Sequence, residues 1–493
     1  MTVAGPVLQL AVDVIASSDL ETWSEACGSA LEGGARMLTL FGRFDGPAHV
    51  LATAVLQGSD GRMQLLRGRA VRGAGYPALT VGCPAVHIFE RELWEQTGLE
   101  PIGHPWCKPV RYEGARQQHM GEYPFFVLRG QQVHEVGVGP IHASVIEPGH
   151  FRFMCLGEQV HHLEIQLGYQ HRGVEALLLQ RPPLALAPLV ESIVGDSSIA
   201  YVWGYCNAVE ALAGVQVPMA TWQLRGIALE LERIAMHLAT LTGLATDIAL
   251  LQGGSTLGRL RTAIINATMR VCGSRFGRGW LRPGGVRFGI TNALQQDLQQ
   301  TLADFARDMA QIGALMQGAG SVQARFRGVG VVSTKVAQEL GLVGLVARAS
   351  GLAVDARASQ SGLLYARHPV NVLTQSSGDC WARMVLRMRE IEASVDWVQR
   401  LLQATGPDLA VPPAVGLGPL APGQLCVSVQ EGFRGPVVQI LETDSAGCLL
   451  HYKVQDPSLL NWFGLAWALR NNEISDFPIC NKSFDLSYCG NDL

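Results

Sequence analysis

The sequence Gly139-Pro140-Ile141-His142, followed by Glu147-Pro148-Gly149-His150, begins the most informative stretch of this chain. This stretch ends with Glu191-Ser192-Ile193-Val194-Gly195-Asp196-Ser197-Ser198. It places histidines, arginines and carboxylates among apolar residues and turn formers. A polar group in apolar surroundings needs a partner, a ligand or a cavity, so the stretch is a candidate site. The alternative is a strand pair and two helix starts whose polar groups satisfy one another.

Composition describes a large, rather apolar globular chain. Of its 493 residues, 48% are hydrophobic and 16% are charged. A chain of this length is expected to form two or three domains. The net charge of -4 gives no basic surface for nucleic acid. The longest stretch free of charge, residues 409–430, is rich in proline and glycine, so we expect no transmembrane segment. The N-terminal residues lack a basic region followed by an apolar run, so we expect no secretion signal.

The eleven cysteines are scattered along the chain, and none of them forms a CxxC or another metal-binding spacing. In a chain without a secretion signal, such cysteines are expected to be reduced and mostly buried. The cysteine pattern therefore predicts no metal site.

Residues 1–115 are predicted to form a small α+β domain. Leu20–Leu31 and Pro84–Gly98 have helical spacing, and residues 37–43 and 49–56 read as strands. Residues 116–135 are polar and contain glycine, which is typical of a linker.

Residues 136–493 are predicted to form a large, mostly helical domain with a small antiparallel sheet, so the fold class is α+β. The predicted strands are His150–Cys155, Val160–Gly168, Gln424–Glu431, Pro436–Thr443 and Leu449–Val454. The predicted helices are Val174–Gln180, Leu184–Val194, Ile199–Leu212, Thr221–Leu241, Asn292–Met316, Cys380–Leu402 and Leu459–Leu469, and residues 405–423 read as a loop.

The helix over Thr221–Leu241 has the clearest apolar periodicity in the chain. Its charged residues favour two readings equally: ion pairs or contacts to a neighbouring element, or a face exposed to solvent. These residues are Arg225, Glu230, Glu232 and Arg233.

A first resemblance lies in residues 89–105. Phe89-Glu90-Arg91-Glu92-Leu93-Trp94, Gly98 and Gly103-His104-Pro105 are similar to the signature of the 30-kDa subunit of complex I. The resemblance implies that this helix leads to a turn that docks on the large subunit.

A second resemblance spans residues 136–493. This region resembles the large subunit of group 4 membrane-bound [NiFe] hydrogenases, of the formate hydrogenlyase type, and the homologous 49-kDa subunit of complex I. Seven motifs carry the resemblance. They are Gly139-Pro140-Ile141-His142, Glu147-Pro148-Gly149-His150, Gly168-Tyr169 with His171-Arg172-Gly173, residues 229–238, Arg282-Pro283-Gly284-Gly285, Ala347-Arg348-Ala349-Ser350-Gly351 and Asp456-Pro457-Ser458. It implies a [NiFe] hydrogenase large-subunit fold.

The same resemblance implies where a nickel–iron centre would be held, because the family supplies four cysteine thiolates as two CxxC pairs. At the first pair this chain carries Val194 and Ser197, and at the second it carries Ser487 and Gly490, with Cys489 one residue out of register. The sequence therefore predicts that no [NiFe] centre forms. Together with Gly195 and Asp196, these four residues are expected to line a cavity at the former metal position.

In the complex I subunit, a histidine and a tyrosine contact the quinone head group. His150 is the best match to that histidine, and His142 is a second candidate. The tyrosine position falls near Gly195, and Tyr201, His142, Asp196 and Tyr488 are alternatives in the same vicinity. Each histidine has an alternative structural reading, a hydrogen bond to a backbone carbonyl.

Glu191 resembles the proton-relay glutamate of hydrogenases. The alternative reading is an ion pair with an arginine such as Arg172 or Arg348.

The functional expectation is a fused peripheral subunit on the cytoplasmic side of the inner membrane, in a complex I-like or formate hydrogenlyase-like assembly. The chain itself is expected to bind no cofactor. The resemblance implies a small partner subunit carrying a [4Fe–4S] cluster, a membrane arm of antiporter-like subunits, a quinone as one candidate acceptor, and coupling to ion movement. An inactive scaffold is the second hypothesis, and an active [NiFe] hydrogenase is the third.

Overall fold

The computed structural model describes residues 6–113, 119–144, 146–360, 362–405 and 409–493. Part of the predicted linker (116–118) and part of the predicted loop 405–423 (406–408) lie outside the described residues. Across the described ranges, no helix combines the length and the apolarity that crossing a membrane requires.

The strands of the described chain are β1 Val7–Ala11, β2 Ser17–Ser18, β3 Arg36–Asp45, β4 His49–Gln57, β5 Met63–Val71, β6 Gly75–Pro77, β7 Glu100–Ile102, β8 Val133–Val138, β9 His150–Leu156, β10 Gln159–Gln166, β11 Leu281–Arg282, β12 Gly285–Val286, β13 Gln424–Glu431, β14 Pro436–Thr443 and β15 Leu449–Gln455.

The α-helices are α1 Leu20–Glu32, α2 His87–Thr97, α3 Val174–Leu179, α4 Ala187–Val190, α5 Ser198–Leu212, α6 Met219–Asp247, α7 Leu251–Cys272, α8 Asn292–Gly318, α9 Gly320–Phe326, α10 Thr334–Glu339, α11 Gly344–Ala349, α12 Ala356–Ser359, α13 Leu363–Arg367, α14 Cys380–Thr405, α15 Pro457–Ala468, α16 Phe477–Phe484 and α17 Tyr488–Asp492. Short 3-10 turns lie at Val12–Val14, Leu79–Val81, Pro84–Val86, Met120–Glu122, Pro183–Ala185 and Ile474–Asp476.

The N-terminal part is an α+β unit. Its sheet has the order β2-β5-β4-β3, with α1 and α2 packed against it. Its apolar core includes Trp23, Leu40 and Phe89, and it continues into Val343 and Leu459 of the C-terminal part. The two parts of the chain therefore share buried surface.

The larger part is built around four long helices, because α6 packs on α7 and α14, and α8 packs on both α7 and α14. Helix α5 lies on β13 and β14. The C-terminal sheet has the order β1-β13-β14-β15, so its edge strand comes from the N-terminus: Val7 pairs with Ser428. The predicted α+β class is confirmed. The division at residues 115 and 136 stays a prediction, and β8 begins at Val133 inside the predicted linker.

The predicted helix over Leu184–Val194 is wrong. The structure has a 3-10 turn at Pro183–Ala185, a single α-turn at Ala187–Val190 and then further turns. Prolines at the start of both short elements interrupt the backbone bonding. Beyond them, the carbonyls of Ser192 and Ile193 accept hydrogen bonds from the guanidinium of Arg172.

Candidate functional site

The family resemblance places cysteines at four positions where this chain has Val194, Ser197, Ser487 and Gly490, called here the vacated cysteine positions. The two segments that carry them lie side by side. The guanidinium of Arg172 donates to the carbonyl of Ile193 at 2.8 Å and to the carbonyl of Cys489 at 3.2 Å. The structure therefore brings together the residues around Val194 and those around Gly490, as the sequence predicts for one site.

Arg434 joins the same two segments from a third direction. It lies in the turn between β13 and β14, next to Gly435, whose φ of 142° is one that few other residues adopt. Its guanidinium binds the two carboxylate oxygens of Asp196 at 2.7 and 2.8 Å and donates to the carbonyl of Asp485. Burial favours a raised pKa for Asp196, but the charge of Arg434 and the hydrogen bonds to the carboxylate together outweigh it, so the pKa of that carboxyl lies below its usual value.

Asp456 occupies the space beside Gly490. It caps α15 by accepting the N–H of Ser458 at 2.7 Å, and it accepts a hydrogen bond from the hydroxyl of Tyr201. A Cβ built on Gly490 would lie 2.5 Å from the carboxyl carbon of Asp456. Burial raises the pKa of Asp456, although the Tyr201 hydroxyl acts in the opposite direction. The buried carboxyl group of Asp456 thus fills the volume in which a side chain at position 490 would lie.

His142 lies on the loop between β8 and β9, and His150 is the first residue of β9. The Nε2 of His142 contacts the carbonyl of Gly149 at 2.9 Å, and the Nδ1 of His150 contacts the carbonyl of Gly139 at 3.2 Å. This loop rests on α17, since a Cβ on Gly149 would lie 2.8 Å from the ring of Tyr488. Both rings are half-buried, so each histidine keeps part of its surface open next to the site.

Glu191 is 4% exposed, and its carboxylate accepts the backbone N–H of Gly279 at 2.8 Å. Burial raises its pKa, partly offset by that hydrogen bond and by the charges of Arg278 and Arg287. Neither of the two arginines expected from the sequence is its partner. Arg172 donates to backbone carbonyls, and Arg348 pairs with Glu390 at 2.9 Å and Glu431 at 3.0 Å.

The remaining vacated positions have ordinary local roles. Val194 is buried, and Gly195 is exposed. Ser197 precedes α5 without a capping bond from its side chain, whereas the Ser487 hydroxyl caps α17 by accepting the N–H of Gly490 at 2.9 Å. Within the described ranges, no three histidine, cysteine, aspartate or glutamate side chains are placed so that they could hold a metal ion.

Two comparisons identify the family. Residues 249–411 match the family described as respiratory-chain NADH dehydrogenase, 49 Kd subunit. An NADH-quinone oxidoreductase subunit of Clostridium beijerinckii is 30% identical over 327 residues, which are 66% of this chain and 87% of that protein. The chain belongs to the 49-kDa subunit family of NADH dehydrogenase.

Hydrogenase subunits are also similar to this member of the 49-kDa family. Formate hydrogenlyase subunit 5 of Escherichia coli is 26% identical over 437 residues, which are 84% of this chain and 76% of that protein. A chain in the structure of the membrane-bound sulfane sulfur reductase, an archaeal respiratory membrane complex, matches with a TM-score of 0.69 and 23% identity, covering 74% of this chain and 99% of that chain. At 23% identity, the similarity to the sulfane sulfur reductase chain is a similarity of fold. The resemblance expected from the motifs of residues 136–493 is therefore confirmed.

The charged residues of α6 are buried in this family member, which excludes the solvent-exposed reading. Glu230 accepts hydrogen bonds from Arg233 at 3.1 Å and from Arg357 at 3.0 Å. Glu232 accepts the backbone N–H groups of Ile199 and Ala200 at the start of α5, at 2.7 and 3.2 Å. Helix α6 therefore fixes the helix that follows Asp196.

Sequence reasoning missed Arg434 and undervalued Asp456. The signal for Arg434 was present in Gly432-Phe433-Arg434-Gly435-Pro436, where a single charge lies in a tight turn between two apolar strands. The sequence indicated Asp456 only as part of the motif Asp456-Pro457-Ser458. Its contact with Gly490 joins residues 34 positions apart, and sequence spacing does not reveal such a contact.

Proposed function

We propose that this chain is a peripheral-arm subunit of a complex I-like or formate hydrogenlyase-like membrane oxidoreductase, without a nickel–iron centre. It works on the cytoplasmic side of the membrane beside a small subunit that carries a [4Fe–4S] cluster. It helps electrons pass from that cluster to an acceptor, with a quinone as the first candidate. A membrane arm of antiporter-like subunits couples this transfer to ion movement.

One observation supports the absence of the nickel–iron centre. The site presents carboxylate, guanidinium and hydroxyl groups where the family has thiolates. Nickel and iron in that centre need soft sulfur ligands, and Val194, Ser197, Ser487 and Gly490 supply none. The space beside Gly490 belongs to Asp456. These residues do not fit the group.

The quinone hypothesis is supported by the positions of His142, on the loop before β9, and His150, at the start of β9. Both rings are half-buried; the ring centroid of His142 lies 5.9 Å from that of Phe151, and the ring centroid of His150 lies 5.5 Å from that of Phe125. A quinone site needs apolar walls with a few polar groups at one end. Reduction takes two electrons from the partner's cluster and two protons, and a histidine side chain can deliver one of these protons as a general acid.

The test uses the purified assembly with its native partner subunits. We expect no stoichiometric nickel by elemental analysis, no hydrogen uptake, and reduction of a short-chain quinone analogue. His150→Ala should remove at least nine-tenths of that turnover while the assembly stays intact. His134→Ala, at an exposed histidine on β8, is the matched control and should leave turnover unchanged. Stoichiometric nickel with hydrogen oxidation would overturn the proposal.

A second candidate function, a scaffold without a reaction of its own, is favoured by the filled space beside Gly490. The two functions predict different outcomes for the same variants. If the assembly turns over but neither His150→Ala nor His142→Ala changes the rate, the reaction lies in another subunit and the scaffold is correct.

A further inference from the structure

A cleft lies where the N-terminal part of the chain meets α10 and the segment that follows it. One wall is formed by residues between 31 and 37, at the end of α1 and the start of β3. The other is formed by residues between 335 and 342, together with Leu352 and Val354. The cleft has a volume of about 650 Å³, which is in the range of ligand-binding pockets. None of its described lining residues belongs to the candidate functional site.

Apolar side chains form most of the cleft lining. Phe89, Leu342 and Leu460 are almost fully buried, whereas Leu31 and Leu352 are half-buried. A half-buried side chain keeps surface that a bound molecule can remove from water, and covering apolar surface favours binding. The cleft therefore suits a molecule with an apolar body.

Arg36 supplies a positive charge to this apolar cleft. Its Nη2 donates to the side-chain oxygen of Gln57 at 2.9 Å, and its other guanidinium nitrogens are open to solvent. In the part of the chain that the structure describes, no carboxylate oxygen lies within 4 Å of this guanidinium. Burial lowers the pKa of Arg36, and the charge of Glu431 offsets only part of this effect. The charged form of Arg36 would therefore be stabilised by a bound anion.

The other charges near the cleft are bound elsewhere or open to water. The carboxylate of Glu431 accepts hydrogen bonds from Arg348 at 3.0 Å and from a backbone N–H at 3.0 Å, so it is already satisfied. Lys335 and Glu339 lie at the rim, where both side chains are largely exposed and their charged groups are 3.8 Å apart. Solvent screens such an exposed pair. Arg36 is therefore the lining cation that lacks an anionic partner.

We propose that this cleft binds a carboxylate attached to an aliphatic chain. The carboxylate pairs with the guanidinium of Arg36, and the chain covers the half-buried surface of Leu31 and Leu352. Arginine suits this role because its N–H groups form a planar fork that matches a carboxylate. Binding here needs neither His150 nor a partner subunit, so it does not depend on the proposed electron transfer.

The first test compares octanoate with 1-octanol, which have the same chain length and differ in the charge of the head group. Calorimetry and ligand-observed NMR on the full chain measure both affinities. We expect octanoate to bind about tenfold more tightly, as a charge-assisted hydrogen bond allows. Arg36→Gln removes the charge, so the two affinities should become nearly equal. Arg62→Gln is the matched control and should keep the preference, because Arg62 forms an exposed pair with Asp60 outside the cleft.

The second test uses a cysteine of the cleft as a reporter. Cys83 lines the cleft and is half-buried, whereas Cys448 is exposed and lies outside it. Octanoate should slow the alkylation of Cys83 by iodoacetamide in proportion to the occupied fraction of the cleft. The alkylation of Cys448 should keep its rate. Mass spectrometry of the two peptides measures both rates in the same sample.

Four outcomes would overturn the proposal. They are absence of octanoate binding, equal binding of octanoate and octanol by the wild-type chain, a preference that Arg36→Gln leaves unchanged, and alkylation of Cys83 that octanoate does not slow. If Arg36→Gln does not fold, Leu352→Glu provides a second variant. Its added carboxylate repels octanoate but not octanol, so the preference for octanoate should be lost, and an unchanged preference would contradict the site.

Discussion

The guanidinium of Arg434 grips Asp196 through two parallel hydrogen bonds, which is the geometry in which an arginine best fixes a carboxylate. Asp196 lies between two vacated cysteine positions, and Arg434 also reaches the carbonyl of Asp485 near the other two. An ion pair therefore connects these segments in this chain. In the hydrogenases that the sequence resembles, four thiolates and two metal ions connect the corresponding segments.

Asp196→Asn should destabilise the fold by about 1–2 kcal/mol. This is less than for a fully buried pair, because the Asp196 side chain is 37% exposed. The paired carboxylate has a lowered pKa, so its stabilisation is complete above the ordinary value of 3.8 and is lost as the pH falls through the lowered pKa. Urea unfolding of both proteins should show a constant difference at higher pH that shrinks below about pH 4. A difference that grows on acidification would contradict this role.

Gly490→Ala should destabilise the fold by about 1–3 kcal/mol, because the new methyl group would meet the carboxyl group of Asp456 at 2.5 Å. Gly28→Ala is the control. A Cβ at Gly28 meets nothing within 4 Å, and the residue lies inside α1, so alanine should stabilise the fold slightly. Thermal unfolding midpoints measure both changes. Equal midpoints for the two variants would show that the space beside Gly490 is open.

Glu232→Gln tests a buried carboxyl group at the start of α5. Burial raises the pKa of Glu232 to about 8, against the opposing effect of two backbone N–H groups, from an ordinary value of 4.5. A raised pKa means that the stabilising contribution of this group is complete below pH 4.5 and is lost as the pH rises through about 8. The wild-type chain should therefore lose stability relative to Glu232→Gln over this range, measured by urea unfolding at several pH values. A pH-independent difference would show that Glu232 keeps one charge state.

Lys453→Met should be among the most damaging single changes. The ammonium group is fully buried and pairs with Glu92 of α2 and, at 3.1 Å, with Glu175 of α3. Removing one partner of a buried pair leaves an uncompensated carboxylate and destabilises by about 3–5 kcal/mol. Arg111 also binds Glu92 and offsets part of this loss.

Arg400→Ala is the control for Lys453→Met. Arg400 forms an exposed pair with Asp396 on α14, and its loss should change the unfolding free energy by less than about 0.5 kcal/mol. Comparable losses for the two variants would mean that the contact between Lys453 and Glu92 does not hold α2 against the C-terminal sheet.

Much of the fold could be predicted because its elements carry strong periodic patterns. The strands from Gln424 to Gln455 and the helix around Leu231 lie where the patterns place them. Short elements were lost to local chemistry, as in residues 184–194, where prolines and the Arg172 guanidinium override a helical pattern. Strand β1 was missed because only its distant partner β13 makes it a strand.

For the site, the sequence predicts which segments come together but not which side chains fill the space between them. Motif spacing brought His142, His150 and the vacated positions to one region, and the structure places their segments in contact. The groups that fill the region could not be foreseen, because Arg434 and Asp456 reach it from separate parts of the C-terminal sheet. The catalytic roles of the two histidines stay predictions.

The pairing of Val7 with Ser428 also bears on synthesis of the chain. The edge strand leaves the ribosome roughly 420 residues before the strand that will hold it, a delay of about 20–80 s at common translation speeds. During that interval Leu8, whose side chain is buried in the folded protein, is not covered by β13, so the C-terminal sheet is completed only after most of the chain has been made.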